Sequence, residues 1–550
     1  MKTSIYTSVS ALALMIAAPA MAQNNSLVDQ LGNGNGATVT QSGDNESDVD
    51  QDGDNNVANV GQTGTGNSST VDQDAFTALV NVTQNGEGNT STIKQEDLDS
   101  GPNTGGSIGI SPGDPEAAVN QQGDSNISRI DQFSVQGSRN LVANVTQTGD
   151  DNVSDVFQDA NGPGFTGTLR AIVGQTNAST SIVTQTASDG GKNFQANVTQ
   201  SDSDSTVTQT ATANTGANNP AIRALVNQQS GSTSDVTQSV GGVGAGDLFA
   251  SVTQANGATS DVKQTANGDA SVTQDAIVTQ NGASTSNITQ TFNNDGSNNF
   301  SATVNQNGDG NLSNVTQRDE GFGIIGNADG GLIANVNQDG EDNTSNLTQE
   351  NKSANADIDQ TGDGNTSDAF QGAAGNDLIV LQSGDMNTST VSQTGLNNAA
   401  DILQAGDGAK SLVTQTGRND LAFVDQLVGS DGSTSTILQT GAPGGARSEN
   451  SASVTQSGLS NTSFVTQGGF NSTALANQSG EGNESNITQT GTVDGFGNTA
   501  SVTQSGDGNL SNVTQTGSLN SATVTQSSDA NISNVTQNGT GNTAIVTQGM

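Results

Sequence analysis

Residues 509–548 read NLSNVTQTGSL, NSATVTQSSDA, NISNVTQNGTG and NTAIVTQ, which is one unit written four times with a period of 11. In each unit an Asn, a Ser or Ala, a Val and a Gln stand two residues apart. Such side chains lie on one face of a β-strand, whereas a helix would distribute them around its circumference. The spacing predicts an assembly ladder on that face, formed by Asn509, Val513, Gln515, Asn520, Val524, Gln526, Asn531, Val535, Gln537, Asn542, Val546 and Gln548.

The four residues between one Gln and the next Asn are rich in Gly, Ser, Asp and Thr. Glycine reaches the positive φ values that tight turns require, so this composition predicts a chain reversal after every strand. The closing Gln already recurs from Gln30 onward, and between Gln338 and Gln426 every step equals the period of the unit. Internal repeats of this kind indicate an all-β solenoid, a cross-β stack of strand–turn–strand repeats in which two 11-residue units make one 22-residue coil.

Longer and shorter intervals between closing glutamines alternate in the middle of the chain. For example, the long interval from Gln158 to Gln175 is followed by the short one from Gln175 to Gln185. If two units form one coil, every second turn carries an insertion, and the inserted loops line one edge of the stack. The sequence predicts irregular loop insertions near 96–119, 159–168, 318–331 and 441–449. The short step from Gln274 to Gln280 does not fit this scheme.

The segment 1–22 differs from the remainder of the chain. Lys2 provides a positive charge, residues 11–18 form the apolar run ALALMIAA, and residues 20–22 read A-M-A before Gln23. These features predict a secretory signal peptide at 1–22, followed by one repeat solenoid at 23–550. The apolar run is too short to cross a bilayer and no later segment qualifies, so we expect an exported protein without a membrane span.

The composition excludes several classes of function. The chain is 30% hydrophobic and 3% aromatic, it contains no Cys, His or Trp, and its net charge is −42. Such values alone favour disorder, but a disordered chain does not repeat Val and Gln at a fixed spacing. The acidic balance argues against nucleic acid as a partner. Catalysis by carboxylates needs a positioned pair in a pocket, and exposed turn residues offer none. We therefore expect no enzyme activity and assign no catalytic, cofactor-binding or metal-binding residue.

The ends of the repeat array bear on assembly. The first repeat begins within eight residues of the expected cleavage site, and the last closes at Gln548. Neither end shows a helix, a proline-rich plug or a run of charge that would cap the open strand edges. Uncapped edges are templates for pairing with another chain. We therefore expect the protein to associate with further copies of itself.

Residues 537–548 carry a family resemblance: Gln537-Asn-Gly-Thr-Gly-Asn-Thr-Ala544 is followed by Gln548. The same Q-x-G-x-G-N core occurs at 84–89, 306–311 and 504–509. The chain thus resembles the curlins, the subunits of curli-type functional amyloid fibres on bacterial surfaces, whose repeat is Ser, five residues, Q-x-G-x-G-N-x-A, three residues and Gln. It departs from that pattern in having Asn at positions such as Asn531, and it is several times longer than a typical five-repeat curlin.

The resemblance implies an extracellular, pilus-like fibre that contributes to the biofilm matrix and to surface adhesion. It also implies export through an outer-membrane curli-type secretion pore, and polymerisation with the help of a nucleator or minor subunit. Whether this chain is a major subunit, a nucleator or a long surface relative stays open at this point.

A secreted, monomeric β-solenoid acting as an adhesin, a calcium-binding protein or an ice-binding protein is the alternative. Acidic residues recur three positions after the Gln, as at Asp363 and Asp507, and calcium could relieve their repulsion. However, one carboxylate per turn is sparse for six to eight oxygen ligands. The other interpretation is that these acids lie in solvated turns and slow premature stacking.

Overall fold

The computed structural model describes residues 23–97, 117–135, 141–161, 168–188, 193–212, 221–241, 246–267, 273–293, 299–319, 331–350, 353–441, 448–491 and 496–549. The predicted signal peptide and most of the predicted loop insertions lie outside these residues. The described chain contains strands and turns but no helix, and forty strands form one parallel sheet system. The all-β solenoid predicted from the repeats is confirmed.

Inward and outward side chains alternate along the strands, which have six to nine residues except in the longer β2 and β3. The first twenty are β1 (Asn25–Leu31), β2 (Gly36–Asp52), β3 (Val57–Asp74), β4 (Leu79–Glu87), β5 (Thr90–Asp97), β6 (Ala117–Gln122), β7 (Ile127–Val135), β8 (Leu141–Thr148), β9 (Val153–Asn161), β10 (Thr168–Thr176), β11 (Thr180–Ser188), β12 (Asn193–Ser201), β13 (Asp204–Thr212), β14 (Ala221–Gln229), β15 (Thr233–Val240), β16 (Leu248–Ala255), β17 (Thr259–Ala266), β18 (Thr273–Asn281), β19 (Thr285–Phe292) and β20 (Asn299–Asn307). The others are β21 (Leu312–Asp319), β22 (Leu332–Asp339), β23 (Thr344–Glu350), β24 (Asn355–Thr361), β25 (Thr366–Gln371), β26 (Asp377–Ser383), β27 (Thr388–Gln393), β28 (Ala399–Gln404), β29 (Lys410–Gln415), β30 (Leu421–Gln426), β31 (Thr434–Thr440), β32 (Ser451–Ser457), β33 (Thr462–Gly468), β34 (Thr473–Ser479), β35 (Glu484–Thr490), β36 (Thr499–Ser505), β37 (Leu510–Ser518), β38 (Ser521–Gln526), β39 (Ile532–Thr540) and β40 (Thr543–Gln548).

Each strand from β4 to β38 pairs with the strand two places further along the chain. In the last coils Val513 of β37 pairs with Val535 of β39, and Val524 of β38 pairs with Val546 of β40. Each partner lies two repeat units further along the chain, so two units form one coil, as predicted. Equivalent residues of successive coils therefore lie beside one another in register.

The pairing sorts the strands into two columns, which differ at one inward position. The alanine column contains the first halves of β2 and β3 and the even-numbered strands from β4; it has Ala there, except for Val80 and Leu378. The serine column contains β1, the second halves of β2 and β3 and the odd-numbered strands from β5, and it has Ser there in every strand. The repeat unit thus alternates between two forms, which face one another across the coil.

The first coils depart from the predicted strand and turn. β2 and β3 each continue through the segment expected to be a turn, so that one strand runs from the alanine column into the serine column. The register between them shifts only at Asp44 and Glu46.

One continuous apolar core runs along the solenoid axis, from Val49 to Val535. It consists of the inward Val, Ile and Leu of both columns together with the Ala of one column. In the middle of the chain, strands β7 to β22 have eight or nine residues, whereas β27 to β30 have six. The added inward positions form a second core, which contains Leu141, Leu169, Ala187, Phe194, Ala211, Ile222, Val240 and Leu248.

This second core lies at the edge where the insertions start and end. The four predicted insertions fall between β5 and β6, β9 and β10, β21 and β22, and β31 and β32. Each therefore follows a serine-column strand and precedes an alanine-column strand. Loop insertions along one edge are confirmed by this order, and the second core lies beside the insertion near 159–168, which Ala160 and Leu169 flank.

The short step at Gln274 is explained by the same widening. Gln280 is the ladder glutamine, because it pairs with Gln254 and Gln306. Gln274 instead pairs with Leu248 and Phe300, so it occupies a position of the second core. Its side chain is fully buried and its Nε2 donates to the carbonyl of Thr265 at 3.1 Å.

Candidate assembly site: the amide ladders and the end coils

The structure places the twelve predicted ladder residues on the inward face. Those of the inner coils, such as Asn509, Val513 and Gln515, are at most 1% exposed. The ladder members of β40 and of the turn before it, Asn542, Val546 and Gln548, are partly covered or exposed because no described coil follows them. Burial thus depends on stacking.

The ladder glutamines satisfy their amides in two directions at once. Nε2 of Gln489 donates to Oε1 of Gln515 at 2.9 Å, and Nε2 of Gln515 donates to Oε1 of Gln537 at 2.8 Å. The same Nε2 of Gln515 also donates to the backbone carbonyl of Thr499 in the opposite column, at 2.9 Å. One amide hydrogen therefore binds the next coil and the other joins the two columns, which is the full donor capacity of the group.

The ladder asparagines lie at the turn and bind in the opposite direction. The backbone N–H and the Nδ2 of Asn531 both donate to Oδ1 of Asn509, at 2.9 and 3.0 Å. Asn542 makes the same pair of hydrogen bonds to Asn520, at 3.1 and 2.8 Å. Glutamine donors thus point toward the C-terminal end of the stack and asparagine donors toward the N-terminal end, so the two ends differ chemically.

The turn carboxylates have a structural role that the sequence did not reveal. Oδ1 of Asp385 accepts a hydrogen bond from the backbone N–H of Asp363 in the preceding coil, at 2.9 Å. Oδ1 of Asp407 accepts from the N–H of Asp385 in the same way, at 3.0 Å. These acids repel one another along the stack, and each also joins its turn to the preceding one.

Carboxylates concentrate at the N-terminal coils. Asp29, Asp50 and Asp72 occupy one outward position in register, and the next residue in that column is Lys94. Partial burial raises the pKa of the Asp50 carboxyl, and the charge of Asp72 followed by that of Asp29 raises it further. Nζ of Lys94 forms a salt bridge with Oε2 of Glu96 at 3.0 Å.

The outer coils expose inward residues that are buried everywhere else. Val28 of β1 is 42% exposed, whereas Val49, its partner one coil further in, is fully buried. At the other end, Ala544 and Val546 of β40 pack against the core only partly. Each end of the described stack therefore presents the ladder face and open strand edges.

The described residues contain no group of three or more acidic side chains placed to hold a metal ion. No helix long and apolar enough to cross a membrane occurs in the same part of the chain.

Comparison with known proteins identifies the repeat. The family model described as "Curlin associated repeat" matches residues 44–74, 375–406 and 494–517. The comparison with curated proteins gives no match. The glutamine ladder continues between the matched segments, as from Gln349 to Gln371 at 2.9 Å. The resemblance to the curlins is confirmed, and the chain is a long multi-repeat protein with curlin repeats.

Proposed function

We propose that this protein is a structural subunit of extracellular, curli-like amyloid fibres that serve the biofilm matrix and surface adhesion. Export as a signal-bearing precursor, through an outer-membrane curli-type pore, and growth from a nucleator or minor subunit are parts of this proposal. It is supported by the curlin repeats and by a cross-β stack whose coils bind one another through ladders of identical residues.

The observation that carries the proposal is the match between the two ends. The last described coil consists of β39 in the serine column and β40 in the alanine column, and the first consists of β1 and the first half of β2 in the same columns. A second copy placed after β40 would set Val28 against Val535 and Val39 against Val546. Serine would follow serine and alanine would follow alanine, so the ladders would continue with no change of register.

The direction of the amide hydrogen bonds supports head-to-tail stacking. Within the described residues, Gln548 accepts from Gln526 at 2.8 Å and is followed by no further glutamine. At the other end Gln41 donates to Gln62 at 2.8 Å and is preceded by none in its column. A glutamine donor would therefore meet a glutamine acceptor when unlike ends join. Edge strands that pair in this way bury main-chain groups that would otherwise face water.

The experiment that tests the proposal is assembly of the purified chain without residues 1–22. We expect a lag and growth in thioflavin T fluorescence, and fibre diffraction reflections near ~4.7 and ~10 Å, the spacings of strands and of packed sheets. A protein that stays monomeric at high concentration while showing the circular dichroism of β-structure would contradict fibre formation. That result would support a secreted monomeric solenoid instead.

A further inference from the structure

The outer face of the alanine column carries an unusual surface on β26, β28 and β30. Outward positions of curlin repeats in this chain are mostly Thr, Ser and Asn, as in the run of Thr503, Thr525 and Thr547. On these three strands they are apolar or acidic instead, apart from Ser383 at the end of β26. The exposed apolar side chains are Ile379, Leu381, Leu421 and Phe423, each about two-fifths exposed, and Leu403 lies half-buried among them. We call this surface the acidic–apolar patch.

Three carboxylates cross the patch on a diagonal. Asp377 begins the outward row of β26, Asp401 is the middle of the row of β28, and Asp425 ends the row of β30. Asp401 lies in register between Ile379 on one side and Phe423 on the other. With strands about 4.8 Å apart and alternate residues about 6.6 Å apart, neighbouring carboxylates on this diagonal are about 8 Å apart.

The charge on this face is uncompensated. No Lys or Arg occupies an outward position on β24, β26, β28, β30 or β32, whereas Asp357 and Asp359 on β24 add to the acids. Burial among the apolar neighbours raises the pKa of the Asp401 carboxyl, and Asp425 and Asp377 raise it further. The carboxylates therefore lie within the apolar surface and close enough to interact, which favours a cationic occupant.

We propose that the acidic–apolar patch docks a cationic amphipathic segment of a partner protein. Lysine or arginine side chains of the segment pair with the diagonal of Asp377, Asp401 and Asp425. Its apolar side chains cover Phe423 and Leu421 on one side and Ile379 and Leu381 on the other.

The area of the patch and the sign of its charge favour this occupant over a second copy of the chain. Three strands by five residues cover about 240 Å², whereas a stable interface between folded proteins buries about 800 Å² on each partner. The chain also carries 55 acidic residues against 13 basic ones, so another copy would bring like charge to the face. A short, positively charged segment fits both the small area and the negative charge of the patch. The patch faces away from the stacking axis, so it is accessible in a monomer and in a stack.

The test uses the full chain without residues 1–22 and a short fluorescein-labelled peptide of alternating leucine and lysine, followed by fluorescence anisotropy. A peptide of alternating leucine and glutamate is the charge control, and it should not bind. The Phe423→Ser variant removes the largest apolar side chain of the patch. Phe464→Ser is the matched control, because Phe464 is exposed to a similar extent, 43% against 39%, but lies on the serine column.

We expect Phe423→Ser to weaken peptide binding about tenfold, as loss of a central interface anchor does, and Phe464→Ser to leave it unchanged. Asp401→Asn should weaken it about threefold and reduce its dependence on salt. Equal effects of the two Phe variants, or none, would mean that the peptide binds the acidic chain as a whole, and would overturn the proposal. If the chain forms lateral dimers that Phe423→Ser abolishes and that the peptide does not displace, the occupant of the patch is a second copy of the chain. That result would overturn the proposal.

Discussion

Nε2 of Gln393 donates a hydrogen bond to Oε1 of Gln415 in the next coil, at 2.9 Å, and both side chains are completely buried. Gln393 also donates to the carbonyl of Asp377 at 3.0 Å and accepts from Gln371 at 3.0 Å. One side chain thus binds the coil before it, the coil after it and the opposite column. Repetition of this arrangement stabilises a solenoid that has few large apolar side chains.

Replacing this amide by a carboxylate should open the stack locally. Gln393→Glu loses both donated hydrogen bonds and leaves a buried charge beside the carbonyl oxygens, which should cost about 3 kcal/mol or more. Hydrogen–deuterium exchange of β25, β27 and β29 should then accelerate about a hundredfold. Thr394→Glu adds the same charge at the exposed neighbouring position and is the control. Equal exchange in the two variants would show that the ladder glutamine contributes little.

Blocking the ends one at a time tests the direction of assembly. Val28→Asp and Val535→Asp each place an uncompensated charge on the ladder face of one end coil, so each variant alone should remain monomeric. Mixed together, they should form dimers, because each supplies the unblocked end that the other lacks. Analytical ultracentrifugation distinguishes these species. If Val28→Asp alone forms dimers, like ends associate and head-to-tail stacking is wrong.

The glycines of one turn should tolerate substitution unequally. Gly362 has a φ of 105°, and an added Cβ would lie 2.5 Å from the carbonyl oxygen of Gly384 in the next coil. Gly364, two residues later, has a φ of 68°, and its nearest contact would be Met386 Cγ at 3.5 Å. We expect Gly364→Ala to cost about 1 kcal/mol for its positive φ, and Gly362→Ala to cost several times more. Urea unfolding midpoints of the two variants measure the difference, and equal midpoints would contradict close stacking of the turns.

Variants of Asp385 separate the hydrogen bond of a turn carboxylate from its charge. Asp385→Ala removes the acceptor for the N–H of Asp363 and should destabilise the turn by about 1 kcal/mol. Asp385→Asn keeps an acceptor oxygen and removes repulsion from Asp363 and Asp407, which is about 0.9 kcal/mol per pair at about 4.8 Å in water. We therefore expect Asp385→Asn to be at least as stable as the wild type in urea and to assemble with a shorter lag. A longer lag for Asp385→Asn would show that charge is not a brake on assembly.

Asp420 should make stability depend on pH. It occupies an asparagine position of the turn ladder, where its Oδ1 accepts from the N–H of Asn450 at 2.9 Å. Burial raises the pKa of this carboxyl, and hydrogen bonds with Ser448 and then with Asn450 lower it only in part. The folded state therefore binds this proton more tightly than the unfolded chain, whose carboxyl has a pKa of 3.8.

It follows that the protein is more stable below the unfolded pKa of Asp420 and loses stability as pH rises through the raised folded value. Asp420→Asn supplies the amide found in the neighbouring coils and should remove this loss. The urea midpoint of Asp420→Asn should exceed that of the wild type at neutral pH and equal it in acid. A difference that is independent of pH would contradict this assignment.

The regular repeats could be predicted from the sequence because each strand obeys its own local pattern. Ser533, Val535 and Gln537 fall on alternate positions of one strand, which must place them on one face whatever lies nearby. The pairing of two units in each coil followed from the alternating insertions. The curlin resemblance rested on the same glycine, asparagine and glutamine positions that the structure uses for its turns and ladders.

Other features needed contacts between distant residues. Gln274 looks like a closing glutamine, yet its pairing with Leu248 and Phe300 places it in the second core. The bond from Asp363 to Asp385 joins the turns of successive coils, and the sequence showed only two exposed acids. The acidic–apolar patch exists only because Asp377, Asp401 and Asp425 come from three adjacent strands of one column.

The sequence by itself determined the strand, the turn, the inward face and the two-unit coil, because periodicity and glycine conformation act over a few residues. Only the tertiary structure decided how the two forms of the unit separate into an alanine column and a serine column, which way the amide ladders point, and which outward side chains become neighbours. These properties depend on which coil lies above and below a given residue. Stacking of the coils decides which residues become neighbours, and those neighbours are at least one whole coil apart in the chain.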